Sequence, residues 1–343
     1  MNDISRLVRE NVKTLIPYSC ARDEFKGKDG IFLDANENPY GELNRYPDPY
    51  QRELKTAISR IKGIQEESIF LGNGSDEVID LCFRIFCNPG TDKALTFTPT
   101  YGMYEVSAAI NDVEIIKIPL SEDFQVEYKN VLPELKDPAL KLIFICSPNN
   151  PTGNAMSGSQ IESIISGFEG IIVIDEAYID FSEQRSFKTM ISRYNNLIVM
   201  QTFSKAMGLA AARVGMAFMD PSIVLYFNKM KPPYNISALN QEAALKSLNH
   251  INQLKNKISM ILKERERLAK ALEKISIIEK VFPSDSNFLL VRTRDADKIY
   301  SELIDNKIIV RNRNRMVPGC IRITVGTERE NNRLLNALQR IKL

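Results

Sequence analysis

Four short segments carry most of the chemistry this sequence could perform. Thr202-Phe203-Ser204-Lys205 follows the apolar run 197–201 and leads to Gly208, Arg213 and Gly215. A lysine placed straight after a buried strand, at the start of a glycine-containing turn, is an amine set at the mouth of a sheet. Asp175-Glu176-Ala177-Tyr178 ends the apolar run 171–174. A carboxylate at the carboxyl end of such a strand can hold a cationic ring nitrogen, since open α/β sheets bind ligands at that edge. Ser147-Pro148-Asn149-Asn150-Pro151-Thr152-Gly153 follows a third run, and Gly72-Asn73-Gly74-Ser75-Asp76-Glu77 lies between a strand and a helix start. Small residues opening a helix expose backbone N–H groups that suit a phosphate. Each segment alone also fits an ordinary turn, cap or surface lysine. Together they supply an amine, a carboxylate, an amide and a phosphate cup, which is the set that pyridoxal phosphate requires.

The elements that must position them follow from the pattern. Short runs that are apolar throughout, 69–71, 94–97, 142–146, 171–174, 197–201 and 214–218, read as strands buried on both faces of a mostly parallel sheet. Amphipathic stretches 51–61, 77–86, 101–110 and 160–168 read as the intervening helices, which makes an α/β domain. After Pro232-Pro233 the texture changes: 238–274 reads as one long helix, then strands at 287–291, 307–311 and 321–325, then a helix over 328–341. The expected organisation is a large α/β domain over 46–238. Residues 1–45 and 239–343 form an irregular arm and a smaller α+β domain, with the arm packed back on the C-terminal unit.

Composition narrows the classes. The 343 residues carry 45 Lys+Arg against 43 Asp+Glu, a net charge of +2, which gives no electrostatic case for nucleic-acid binding. One histidine, His250, rules out histidine-rich metal sites and moves proton chemistry to lysine, carboxylate or tyrosine; no metal is expected. The cysteines Cys20, Cys82, Cys87, Cys146 and Cys320 are scattered, as reduced thiols of a cytoplasmic protein are. The N-terminus has no apolar leader and no run suits a membrane span.

At these residues the chain resembles the fold-type I pyridoxal-phosphate aminotransferases, and within them the histidinol-phosphate aminotransferase family. The resemblance runs from Ile16-Pro17-Tyr18 and Asn36-Glu37-Asn38-Pro39-Tyr40 through Asn44-Arg45-Tyr46-Pro47 and Pro99-Thr100-Tyr101-Gly102-Met103-Tyr104. It continues to Lys231-Pro232-Pro233-Tyr234-Asn235 and Arg322-Ile323-Thr324-Val325-Gly326. It departs at Ser19-Cys20-Ala21-Arg22 and at Ala210-Ala211-Ala212, where relatives often read Pro-Gly and Gly-Leu.

The resemblance implies that Lys205 carries the cofactor aldehyde and serves as the proton carrier, and that Asp175 faces the ring nitrogen. It implies that Asn150 and Tyr178 bond the ring's phenolic oxygen and Tyr101 covers the ring face. Ser75 and Asp76 offer backbone N–H groups to the phosphate, with Ser204 and Arg213 adding a hydroxyl and a charge. Tyr46 is expected to reach the phosphate held by the other subunit of a homodimer. Tyr18, Arg311 and Arg322 are expected to face the substrate, whereas Arg313 and Arg315 read as a solvated basic loop. The implied reaction exchanges amino groups between L-histidinol phosphate and 2-oxoglutarate, as in histidine biosynthesis. Aromatic or other aminotransferases and phosphoamino-acid decarboxylases on the same fold are the nearest alternatives. A cofactor-sensing transcription regulator would add an N-terminal DNA-binding domain, which the position of Lys205 leaves no room for.

Overall fold

The computed structural model describes residues 3–19 and 30–342; Cys20 and the Cys20-Ala21-Arg22 departure lie outside them. Strands β1 Ile69–Asn73, β2 Lys93–Thr98, β3 Glu114–Pro119, β4 Leu140–Cys146, β5 Ile171–Asp175, β6 Leu197–Thr202 and β7 Val214–Phe218 form a seven-stranded sheet in the order β1-β7-β6-β5-β4-β2-β3. Pairings among β2 to β6 are parallel, and β7 runs antiparallel to both β1 and β6. β3 escapes the sequence reading because its side chains are mostly half-exposed at the sheet edge, so it lacks the continuous apolar run.

The apolar runs alternate between two cores. Leu71, Ile143, Ile145, Ile172, Ile174 and Val199 face one layer of helices. Phe70, Phe144, Val173, Ile198 and Met200 face the other. The first layer is built from α1 Arg52–Lys62, α4 Gly158–Gly167 and α6 Ala238–Asn249. The second is built from α2 Ser75–Phe86, α3 Met103–Ile110 and α5 Pro221–Met230. This two-faced burial is the reason the strands are apolar at every position.

Two expectations are corrected. The stretch 238–274 is two helices, α6 and α7 Ile251–Leu272, with the break at His250, whose φ of −110° and ψ of 32° lie outside helical values. Apolar spacing crosses that break unchanged, so periodicity could not show it. The N-terminal arm does not pack on the C-terminal unit where it is buried: Ile4, Val8 and Val12 join the second core of the large sheet, and Arg9 Nη1 donates to the Arg84 carbonyl at 2.9 Å.

The smaller unit is a four-stranded antiparallel sheet, β10 Arg311–Asn312, β11 Cys320–Thr324, β9 Phe288–Thr293 and β8 Ile278–Val281 in that order. It is covered by α7, α8 Ala296–Asp305 and α9 Glu328–Arg340, with Leu268, Leu272, Ile299, Ile323 and Leu338 in its core. Among the described residues no helix is long and apolar enough to cross a membrane.

The reversed β7 presses its backbone against the start of α2. A Cβ at Gly215 would lie 2.4 Å from the Gly74 carbonyl carbon and 2.4 Å from the Ser75 nitrogen. Gly74 has φ +74°, and a Cβ there would lie 2.5 Å from an Arg213 nitrogen. Gly215→Ala should therefore cost about 2–3 kcal/mol of stability, the scale of overpacking in a close-packed site. Thermal unfolding beside the parent protein measures it; an unchanged midpoint would contradict the close approach.

Candidate functional site

Parallel strands end on one edge, and the residues that follow β1, β4, β5 and β6 meet there. Because β7 is reversed, the residue before it, Arg213, reaches the same edge. The result is a cleft of about 400 Å³ between the large sheet and the β10–β11 hairpin of the smaller one. It is lined by Ser75, Asp76, Tyr101, Asn150, Asp175, Tyr178, Ser204, Lys205, Arg213, Arg311 and Arg322 from the sequence reading.

At its floor lies Asp175, 4% exposed. Its Oδ2 accepts from the Tyr104 hydroxyl at 2.8 Å and its Oδ1 from the Ala177 N–H at 3.0 Å. Burial pushes its pKa up to about 6, against the pull of these two donors. Lys205 stands in the same cleft, its Nζ 5.7 Å from the centroid of the Tyr178 ring. Burial first, and Arg322 second, hold its pKa below the usual lysine value. No hydrogen bond or ion pair engages Nζ among the described residues. Desolvation thus shifts the amine toward its neutral form, the form a nucleophile or base requires.

One end of the cleft is suited to an anion. α2 begins at Ser75 with no side-chain cap, so its first-turn N–H groups point into the cleft's mouth. Arg213 Nη2 lies 3.2 Å from Asp76 Oδ2, and its Nη1 lies 3.4 Å from Ser204 Oγ. The Tyr101 hydroxyl donates to Asp76 Oδ1 at 3.0 Å. Arg213 adopts a left-handed backbone, φ 50° and ψ 50°, which turns its side chain back along the sheet edge.

At the other end are arginines. Arg322 donates to the Asn150 side-chain oxygen and lies 5.1 Å over the Phe288 ring, while its Nε is buried without a partner. Arg311 sits directly across the strand pair from Arg322. Like charges in that position repel unless an anion is held between them. Arg313 also lines the cleft, which corrects its reading as a solvated residue; Arg315 is exposed and does not line it. Burial, then Arg322 and Arg311, lower the Arg313 pKa to about 10.

Two expected residues stay out of the cleft within one chain. Tyr46 is half-exposed and stacks on Tyr234, with centroids 4.4 Å apart. Tyr18 is 73% exposed in a shallow groove beside Pro49, Tyr50 and Lys231. The sequence reading missed Tyr104, the buried donor to Asp175, although its spacing of three from Tyr101 puts both on one side of the helix expected over 101–110. His250 is exposed at the α6–α7 junction, away from this edge.

The residues fit pyridoxal phosphate. Among the described residues a buried carboxylate has no paired cation and an amine has no hydrogen-bond or ion-pair partner, while a helix N-terminus, a hydroxyl and the Arg213 guanidinium converge, the last paired with the partly exposed Asp76.

Comparison with known proteins decides the lineage. The pattern of the family described as aminotransferase class I and II matches residues 28–338. The histidinol-phosphate aminotransferase of Cytophaga hutchinsonii is 51% identical over 98% of this chain and 98% of its own length. This chain belongs to the histidinol-phosphate aminotransferase family. The crystal structure of the family member from Clostridium acetobutylicum superposes with a TM-score of 0.80 at 27% identity, covering 87% of this chain and 90% of the other. A second, from Sinorhizobium meliloti in complex with pyridoxal-5'-phosphate, shares the fold with a TM-score of 0.80 at 23% identity, over 89% of each chain.

The raised pKa of Asp175 has a stability consequence in the protein stripped of bound molecules. Its folded-state value, about 6, lies above its ordinary 3.8. The stability it contributes is complete below the lower value and is lost as pH rises through the higher one. That amounts to about 2 kcal/mol between pH 4.5 and 7.5. Asp175→Asn should lack this component. Urea unfolding of stripped parent and variant at both pH values tests it, and parallel slopes would refute it.

Proposed function

We propose that this chain is a pyridoxal-phosphate-dependent transaminase. It interconverts L-histidinol phosphate and 2-oxoglutarate with imidazole-acetol phosphate and L-glutamate. The observation that carries the reading is the cleft itself: among the described residues, an amine with no hydrogen-bond or ion-pair partner and a buried carboxylate with no paired cation, facing three arginines without carboxylate partners.

The bound cofactor supplies an aldehyde and a protonated ring that withdraws electrons. Lys205 Nζ takes up the aldehyde and, once displaced by a substrate amine, moves the proton of the substrate Cα. Its depressed pKa, caused by burial and Arg322, suits that work near neutral pH. Asp175 keeps the proton on the ring nitrogen. A buried carboxylate facing a cation gains an ion pair that offsets its desolvation. Asn150 and Tyr178 hold the phenolic oxygen, and Tyr101 covers the ring face. The N–H groups of Ser75 and Asp76, with Ser204 and Arg213, hold the phosphate. Arg322 and Arg311 bind the anionic ends of substrate, since guanidinium forks pair bidentately with carboxylate and phosphate.

The working unit is proposed to be a homodimer in which Tyr46 of a second copy reaches the phosphate, and Tyr18 faces the substrate there. Large apolar side chains in the arm support a covering partner: Ile16, Ile31, Leu33 and Tyr40 are each at least 85% exposed. The four described cysteines are free and buried, in keeping with the cytoplasm.

The purified protein should be yellow, and borohydride should bleach it while fixing the cofactor's mass on Lys205. Lys205→Ala should lose turnover by several orders of magnitude. In stopped-flow absorbance, glutamate should convert the cofactor to its amine form and imidazole-acetol phosphate should return it. Success with other keto acids and failure with that one would move the substrate elsewhere. Carbon dioxide release from threonine phosphate without amino transfer would indicate a decarboxylase.

A further inference from the structure

The segment Arg311-Asn312-Arg313-Asn314-Arg315 alternates cation and amide where β10, Arg311–Asn312, runs into the turn that joins it to β11. Along β10 that alternation sends Arg311 and Asn312 to opposite sides. The amide side is clamped by one carboxylate. Asn312 Nδ2 donates to Asp297 Oδ1 at 2.6 Å, and Asn314 Nδ2 donates to Asp297 Oδ2 at 2.7 Å. Asn314 Oδ1 accepts from the Gly319 N–H at 2.7 Å, and the Arg313 N–H donates to the Cys320 carbonyl at 3.0 Å, which closes the hairpin. Arg311 and Arg313 line the cleft with Arg322, whereas Arg315, in the turn, does not.

Among the described residues Arg313 has no anionic partner there. Its Nε is buried without a hydrogen-bond acceptor, as is that of Arg322. A half-buried guanidinium whose Nε has no acceptor is costly, more so beside two others, and the Asp297 clamp fixes the segment that carries it. Three forks exceed what a single carboxylate needs. A phosphomonoester carries close to two charges and three acceptor oxygens, against one charge and two oxygens for a carboxylate.

We propose that Arg313 is a substrate-binding residue that distinguishes a phosphomonoester from a carboxylate. Arg311 and Arg313 together take the dianion, while Arg322 serves the carboxylate of the amino donor. The inference rests on the transaminase reading above and adds a specificity determinant to it.

The test separates the half-reactions of the cofactor-loaded enzyme. Arg313→Gln should lower kcat/KM for histidinol phosphate about 10- to 100-fold, the scale of one charged hydrogen bond. The glutamate half-reaction should change less than about 3-fold, which also shows that the variant is folded. Histidinol without its phosphate should react equally with parent and variant. Inorganic phosphate should compete with histidinol phosphate more weakly by the same factor in the variant. Arg313→Lys should restore part of the loss, since it returns the charge without the fork. Equal loss in both half-reactions, or no loss with the phosphoester, would overturn the role of Arg313. Failure of the parent enzyme itself with histidinol phosphate would instead overturn the transaminase reading.

Discussion

A carboxylate with almost no access to water sets the terms for this structure. Asp175 ends β5, the central strand of the large sheet, with apolar layers on both sides. Two donors, Tyr104 and the Ala177 N–H, stabilise its charge only in part, and its pKa stays above the ordinary value. A cation completes such a site more cheaply than any rearrangement of the strand. The amine of Lys205 is poorly suited to that part, because burial and Arg322 disfavour its own charge. A protonated ring placed between the two satisfies both groups at once.

The rigidity of the surroundings follows from how the two sheets meet. The turn between β8 and β9 clasps the loop that carries Asn150. The Asp285 N–H donates to the Gly153 carbonyl at 2.7 Å, Asp285 Oδ2 accepts from the Ala155 N–H at 2.7 Å, and Ser286 Oγ donates to Gly153 at 3.1 Å. Asn150 in turn accepts from Arg322 on β11. Arg322 and Asn150, which both line the cleft, are thus held in one hydrogen-bonded frame. Placing reactive groups on such a frame reduces the reorganisation left for the moment of reaction.

Much of this was legible in the sequence because the physics involved is local. Strands buried on both faces must be apolar at every position, so β4, β5 and β6 are plain in the chain, and the residues at their ends announce themselves. β3 and β8 were not legible, since exposure on one side removes the run. The break at His250 leaves the apolar spacing intact, so nothing in the pattern marks it. Arg313 was misread because side-chain alternation predicts a side but not what that side faces; Asp297 decides it from 16 positions earlier in the chain.

By itself the sequence determined the kinds of groups available: an amine after one strand, a carboxylate after another, a helix start rich in small residues, and arginines in place of histidines. Those follow from composition and short-range order, which the covalent chain fixes. Only the tertiary structure decided which groups share one cleft. Arg213 reaches the start of α2 because β7 runs against its neighbours, and Gly74 and Gly215 permit the backbones to touch. Tyr104 reaches Asp175 because α3 packs over the sheet, 71 residues away in sequence. Strand direction and helix placement depend on burying apolar surface across the whole chain, and no local window contains that balance.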